Sequence, residues 1–368
     1  MTKTLLASVL LFSLHSWASP VHTTNPATRP HGSCKQLNIS VSTSSQSHVY
    51  DIPKVDNDLE ATAWAINADT WSHQLTREAV LENTTISGTY NIHVQLCTPQ
   101  SGGNVLQIAS HGAFYDGRYW DAELEGHSYV NAALEAEYSI LTYDRLGTGQ
   151  SDKPDPYRTI QAQFELEILR QLTIKARNGA LGIKPGKVVH VGHSFGSILT
   201  SAFIATHPTL SDGAIITGFV LNEHFGTVGR SSWAVMHPKG WPSGFVSMAR
   251  SGIQDTFFNG NFTQQMLDYG DKIKSPAAVG EIASGALLVQ ASGPFAGPIQ
   301  YMLPELDFFI CAGDCKGVYS LDALKKTFPN ASDIEVAIQP KTGHALPLHN
   351  NATAGFQVSF DFLKRNGL

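Results

Sequence analysis

Residues 188–203 read VVHVGHSFGSILTSAF. An apolar run from Val188 to Val191 meets Gly192-His193-Ser194-Phe195-Gly196, and a helix-like run follows. A serine set between two glycines where a strand stops and a helix starts is the signature of a nucleophile elbow. The turn is so tight that residues two positions either side of the serine must be small, which gives Gly192 and Gly196 a steric reason. The helix that follows points its first amides and the positive end of its dipole at the serine, which favours developing negative charge.

A serine hydroxyl is a weak nucleophile and needs a base, itself oriented by an acid. For this elbow the chain order is serine, acid, histidine. The run IEVAIQP is followed by KTGHALPLHNN, which places His344 on a loop just past a last strand and makes it the expected base. His349 is the rival, five residues on. For the acid, GPIQYMLPELDFFICAGDCKG contains a strand-like run from Ile299 to Leu303. Asp307 then falls three residues after the turn residue Pro304 and is the expected acid. Asp314 replaces it if the strand is instead DFFICAG. Glu305 and Asp322 read as surface carboxylates, and Glu223 is a distant alternative. The run IASHGAF ends a strand at His111-Gly112-Ala113, so the amides of Ala113 and Phe195 are the expected oxyanion donors.

Around these motifs, strands alternate with helices. LNISVSTS and TYNIHVQLC alternate apolar and polar residues, as half-buried antiparallel strands do. NVLQIASHG, YSILTYDR, KVVHVGHS and AIITGFVLNE are short buried-strand runs. TIQAQFELEILRQLTIKARNG has helical spacing, Lys175 and Arg177 in its last turn, and Gly179 as its stop. This pattern predicts an α/β fold: a mostly parallel sheet with antiparallel N-terminal edge strands and helices on both faces. Residues 224–296 break the rhythm, being rich in Trp, Phe, Met and Gly without a clean strand. They are expected to form an inserted, mostly helical cap, dividing the core into residues 34–223 and 297–368. Phe257, Phe258 and Phe262 read equally as cap core or as substrate contacts.

The 368-residue chain has a formal charge of −6 and no cluster of Lys or Arg, so nothing points to nucleic acid as a partner. Lys3, the apolar run Leu5–Leu14 and Ser16-Trp17-Ala18 fit an export leader cut after Ala18, giving a signal peptide over 1–18 and a flexible lead-in over 19–33. No later stretch reads as transmembrane. Asn-x-Ser/Thr sequons stand at Asn38, Asn83, Asn261, Asn330 and Asn351, as in a glycosylated secreted protein. The four cysteines allow three pairings. Cys311 and Cys315 are near enough for a local clip, which leaves Cys34 with Cys97; a zinc site is the weaker reading, since no Cys/His quartet has ligand spacing. No metal and no organic cofactor is expected.

Taken together, SHGAF (110–114), YDRLGTGQSDKP (143–154), GHSFG (192–196), an acid near Asp307 and TGHALPLH (342–349) resemble the α/β-hydrolase superfamily, in its order, over roughly residues 100–366. The layout is similar to secreted fungal-type serine hydrolases and to the proline-iminopeptidase-like branch. The resemblance implies the α/β-hydrolase fold, a Ser194–Asp307–His344 triad and a structural YDRLGTGQS loop in which Asp144 and Arg145 pair. Pro304 stands where the family's acid turn commonly has glycine. Members that use aspartate at the elbow open epoxides or remove halides; Ser194 implies an acyl–serine route instead. The expected function is hydrolysis of an ester or lactone on a hydrophobic small-molecule substrate. The alternatives are an aminopeptidase-like amide hydrolase, which needs an acidic group in the cap (Glu281, Asp255, Asp268 or Asp271), and a lyase, cyclase or silent binder on the same scaffold.

Overall fold

A computed structural model describes residues 27–70, 80–219 and 223–368. The expected leader, residues 1–18, and residues 19–26 lie outside them. The first strands are β1 (Ala27–Arg29), β2 (Gly32–Tyr50), β3 (Val80–Pro99), β4 (Val105–Ser110), β5 (Ser139–Tyr143), β6 (Lys187–His193) and β7 (Gly213–Thr217). Three short strands follow, β8 (Val235–Met236), β9 (Phe245–Met248) and β10 (Ala277–Ala278), then β11 (Ile299–Pro304) and β12 (Ile334–Gln339). The main sheet runs β1-β2-β3-β5-β4-β6-β7-β11-β12. Its first three pairings are antiparallel and the rest parallel. This is the α/β-hydrolase arrangement with an antiparallel N-terminal edge.

The helices before the inserted segment are α1 (Asp58–Asp69), α2 (Tyr129–Glu135), α3 (Ala162–Arg177) and α4 (Phe195–Thr206). Within the insertion lie α5 (Glu223–Arg230), α6 (Arg250–Phe257), α7 (Gln264–Lys272) and α8 (Val279–Val289). After it come α9 (Phe308–Cys311), α10 (Leu321–Thr327) and α11 (Ala352–Arg365). Side chains alternate across each strand, so β6 feeds two cores. Val188 packs with α3 and α4 on one face, and Val189 and Val191 pack with α2 and α11 on the other. The buried His190 joins the first face, its ring 4.2 Å from Phe203 of α4 and its Nε2 2.9 Å from Thr173 Oγ1 of α3. α3 stops where expected: Gly179 takes φ +85°, which lets Ala180 N–H reach back to Lys175 O at 2.9 Å.

Both disulfides form, Cys34–Cys97 and Cys311–Cys315. Cys34 and Cys97 are directly opposite in the β2–β3 ladder. The lead-in is less loose than expected over its last residues. Ala27–Arg29 pairs with Gly32–Cys34, and Arg29 is held by Asp121 and Asn131. That pairing and ion pair supply what a Pro- and Thr-rich composition does not reveal.

Residues 224–296, expected to be mostly helical, carry three short strands beside the helices α5 to α8. β8, β9 and β10 form a small antiparallel sheet, too short for any periodicity to show. Its last helix, α8, packs back on α3 and α4. A second addition is α1, between β2 and β3. Its buried side chains are only Ala61 and Trp64, too few to mark an amphipathic stripe in the sequence. Arg230 of α5 binds Asp69 of α1 at 2.7 Å, and Asp58 accepts from His237 N–H at 2.9 Å, so the two additions hold each other. No described helix is long and apolar enough to cross a membrane.

Candidate active site

Ser194 sits at the apex between β6 and α4 with φ +54° and ψ −117°. That is a costly conformation for a residue with a Cβ. Thr217 at the end of β7 holds it: its carbonyl accepts Ser194 N–H at 2.9 Å and Ser197 Oγ–H at 2.5 Å. The flanking glycines are required sterically. A Cβ on Gly192 would lie 2.4 Å from Gly196 O, and one on Gly196 would lie 2.1 Å from Ser110 O.

β11 and β12 are parallel neighbours, and their C-terminal ends bring Asp307 and His344 together. His344 Nδ1 donates to Asp307 Oδ2 at 2.5 Å, with both side chains fully buried. Asp307 Oδ1 accepts from Ile310 N–H at 3.0 Å, so the acid also caps α9. The Cys311–Cys315 bridge lies in the turn just after it, and Cys315 N–H donates to Glu305 O at 2.9 Å. Pro304 fits because pairing with β7 ends at Met302, leaving the end of β11 paired only with β12. Asp314 is exposed and accepts from its own turn, at Lys316 N–H. His349 is buried with Nδ1 donating to Ala345 O and Nε2 accepting from Gly343 N–H. Burial pulls its pKa down to about 4, and neither nitrogen is left for chemistry. Glu305 does more than face water: it binds Lys316 and accepts from Lys341 N–H, tying the ends of β11 and β12. The side chain of Glu223 is not among those described.

With its Nδ1–H given to a carboxylate, His344 presents a lone pair at Nε2. That nitrogen has no hydrogen-bond partner among the described residues, so the Ser194 hydroxyl is not bonded to it here. Ser194 and His344 instead line one cavity of about 400 Å³. Such bonds commonly tighten only with substrate in place. Aromatic rings hold the imidazole: Phe257 at 5.4 Å, Phe309 at 5.2 Å and His193 at 4.7 Å. His193 stacks in turn on Tyr119 at 4.5 Å and donates from Nδ1 to Thr217 Oγ1. Burial and the neighbouring His344 hold His193 well below the usual imidazole range, so it is a neutral wall. The sequence shows it only as the residue before the serine.

The amides of Ala113 and Phe195 have no partner among the described residues. Their loops touch: a Cβ on Gly112 would lie 2.9 Å from Ser194 Cβ. Behind them lies a group not expected from the sequence. Arg145 does not pair with Asp144. It is fully buried between Glu165 of α3 and Glu281 of α8, the latter at 2.5 Å. Asp144 points elsewhere, accepting Gly117 and Gln150 amides at 2.9 and 2.7 Å. Neighbouring residues at a strand end face opposite ways, so Asp144 and Arg145 serve different loops. Burial raises the Glu165 carboxyl to about 8.

The cavity wall is largely apolar, including Phe114, Ile198, Trp233, Ile282 and Phe309. Phe257 reaches it, whereas Phe258 and Phe262 pack on each other and on His349 as core. Trp64 of α1 closes part of it, a contribution sequence patterning does not show. Among the described lining residues the one carboxylate is Asp51. Glu281 is spent on Arg145, and Asp268 and Asp271 bind Arg250.

An elbow serine, a buried acid–histidine pair and two amides without a partner among the described residues thus stand around one largely apolar cavity. Residues 108–356 match the alpha/beta hydrolase family. The chain belongs to that family. Among solved structures, a thermophilic esterase from Thermogutta terrifontis is 16% identical with a TM-score of 0.51, covering 76% of this chain and 96% of that one. A carboxylesterase structure from the thaumarchaeon Nitrososphaera gargenis is 14% identical with a TM-score of 0.52, over 76% and 96%. At such identity the likeness is one of fold. No curated protein matches the chain significantly.

Proposed function

We propose that this protein is a secreted serine hydrolase that cleaves an ester or lactone of a hydrophobic substrate through an acyl-enzyme. Ser194 Oγ attacks the carbonyl carbon while His344 Nε2 takes its proton. Asp307 fixes the imidazole and stabilises its charged form. The carbonyl oxygen, now negative, is received by the amides of Ala113 and Phe195. Collapse breaks the bond to the alcohol, which leaves with the proton from His344. Water then attacks the acyl-enzyme, gives a proton to His344, and Ser194 leaves with it. Residues 224–296, with α1, act as the cap that excludes water and selects the apolar group.

The observation that carries this reading is the buried Asp307–His344 hydrogen bond, which leaves the Nε2 lone pair in the cavity that Ser194 lines. The apolar wall supports a hydrophobic acyl or alcohol group on the substrate. The two disulfides fit an exported protein. The test is Ser194→Ala assayed on phenyl esters of graded chain length, with fluorophosphonate labelling alongside. A fall in kcat of at least about 10⁴ and loss of labelling are expected; activity that survives the substitution sinks the assignment.

A further inference from the structure

The Arg145–Glu165–Glu281 cluster is buried, sits beside the proposed oxyanion amides and takes no part in the steps above. Replacing a buried ion cluster by apolar side chains is often neutral or stabilising, so stability alone gives no reason for these charges. Their contacts do. Arg145 Nη2 donates to Gly112 O at 3.3 Å and Nε to His111 O at 3.1 Å. Arg145 N–H donates to His111 Nε2 at 3.0 Å, and His111 Nδ1–H donates to the same Gly112 O at 2.8 Å. Gly112 O and Ala113 N–H belong to one peptide unit, and no peptide bond among the described residues is cis. In a trans peptide the C=O and N–H point opposite ways. Fixing Gly112 O on the guanidinium therefore fixes the direction of Ala113 N–H, and drawing electrons towards that oxygen makes the N–H a stronger donor.

The second donor residue is held by the same group. Arg145 Cζ lies 4.6 Å from the centroid of the Phe195 ring. A Cβ on Gly285 would lie 2.9 Å from that ring, so the ring is packed between the guanidinium and α8. Gly285 and Glu281 are four apart on α8 and share a face.

We propose that Arg145 is a positioning residue: held by Glu165 and Glu281, it sets and polarises the Gly112–Ala113 peptide and seats Phe195, so that both oxyanion donors are in place only when α8 of the inserted segment is docked. This rests on the functional reading above. The experiment compares the full chain with Arg145→Lys and Glu281→Gln on phenyl butyrate. It measures kcat and KM separately, and the affinity for a trifluoromethyl ketone with the same acyl chain, whose adduct with the serine carries the oxyanion. Thermal melting checks that each variant is folded. Lysine cannot reproduce the fork, so kcat should fall about 100-fold with KM changed less than about threefold. Ketone affinity should fall by the same factor as kcat/KM. Glu281→Gln keeps the arginine and the volume, and should show the same pattern at roughly tenfold; it decides the matter if Arg145→Lys does not fold. Folded variants that keep kcat within threefold, or that lose KM instead of kcat, overturn the proposal. A wild-type protein whose Ser194 is not labelled by fluorophosphonate overturns the functional reading and this proposal with it. A labelled, active wild type with unaffected variants overturns this proposal alone.

Discussion

His344 Nδ1 lies 2.5 Å from Asp307 Oδ2, and neither side chain reaches solvent. Burial makes such a bond strong and its partial loss costly. Asp307→Asn keeps the volume and the cap on Ile310, but puts an amide where the imidazole N–H needs an acceptor. A fall in kcat of about 10⁴ is expected, with a lower melting temperature, since the mismatched buried pair costs about 1–3 kcal/mol. Asp314→Asn, on an exposed turn, should leave kcat within about twofold. Steady-state kinetics of the two variants on one ester checks the assignment; the reverse ranking overturns it.

The two disulfides should act differently. Cys34–Cys97 closes 63 residues of sequence separation and Cys311–Cys315 closes four. By loop-closure entropy the first is worth about 4 kcal/mol and the second about 2 kcal/mol. Replacing the first pair by serines should lower the urea midpoint strongly while the folded fraction keeps its kcat. Replacing the second pair should cost less stability but more kcat, because that clip lies in the turn behind Asp307.

Four buried histidines set the acid limit. Burial holds His190 down to about 3 and His349 to about 4, and holds His111 and His193 well below their ordinary 6.5. The unfolded chain takes these protons first as pH falls. The contribution is therefore present above about pH 6.5 and is lost progressively towards pH 4, by up to roughly 1.4 kcal/mol per pH unit for each group. Glu165, raised to about 8, has the opposite sign between about pH 4.5 and 8, but it is one group against four. Urea unfolding at pH 7 and pH 5 should show a clear loss on acidification, and His190→Gln should flatten the slope by about one proton.

The sequons are not equivalent. Asn38, Asn83, Asn261 and Asn330 are exposed. Asn351 donates from Nδ2 to Pro340 O at 2.5 Å, and its Oδ1 accepts from Gln339 and Thr342. A glycan on that nitrogen would break the tie behind the His344 loop. Peptide mass spectrometry after expression in a secreting eukaryotic host should find glycans at the first four positions and none at Asn351.

Much of this site is local and so can be read from the chain. GHSFG works because five consecutive residues must make a tight turn, and sterics dictate the glycines. SHGAF and TGHALPLH each end a strand, and the strand's apolar run marks where. Asp307 needed the limit of β11 to be known within a residue or two, since DFFICAG reads nearly as well as a strand; the structure makes Phe308–Cys311 a short helix instead. Arg145 was misplaced for a different reason. Its partners are 20 and 136 residues away, and no spacing in the sequence signals a contact of that range when a nearer carboxylate stands beside it.

By itself, then, the chain determined the alternation of strands and helices, the elbow at Ser194, the place of His344 just past the last strand and the two cysteine pairs, because each rests on short-range sterics, periodicity or chain order. Only the tertiary structure decided which carboxylate meets His344, which cap phenylalanine reaches the cavity, that α1 closes part of it, and that a buried arginine stands behind the Gly112–Ala113 loop. Those outcomes depend on which surfaces remain to be covered once the sheet is assembled, and long-range packing and desolvation choose among partners that local sequence leaves equivalent.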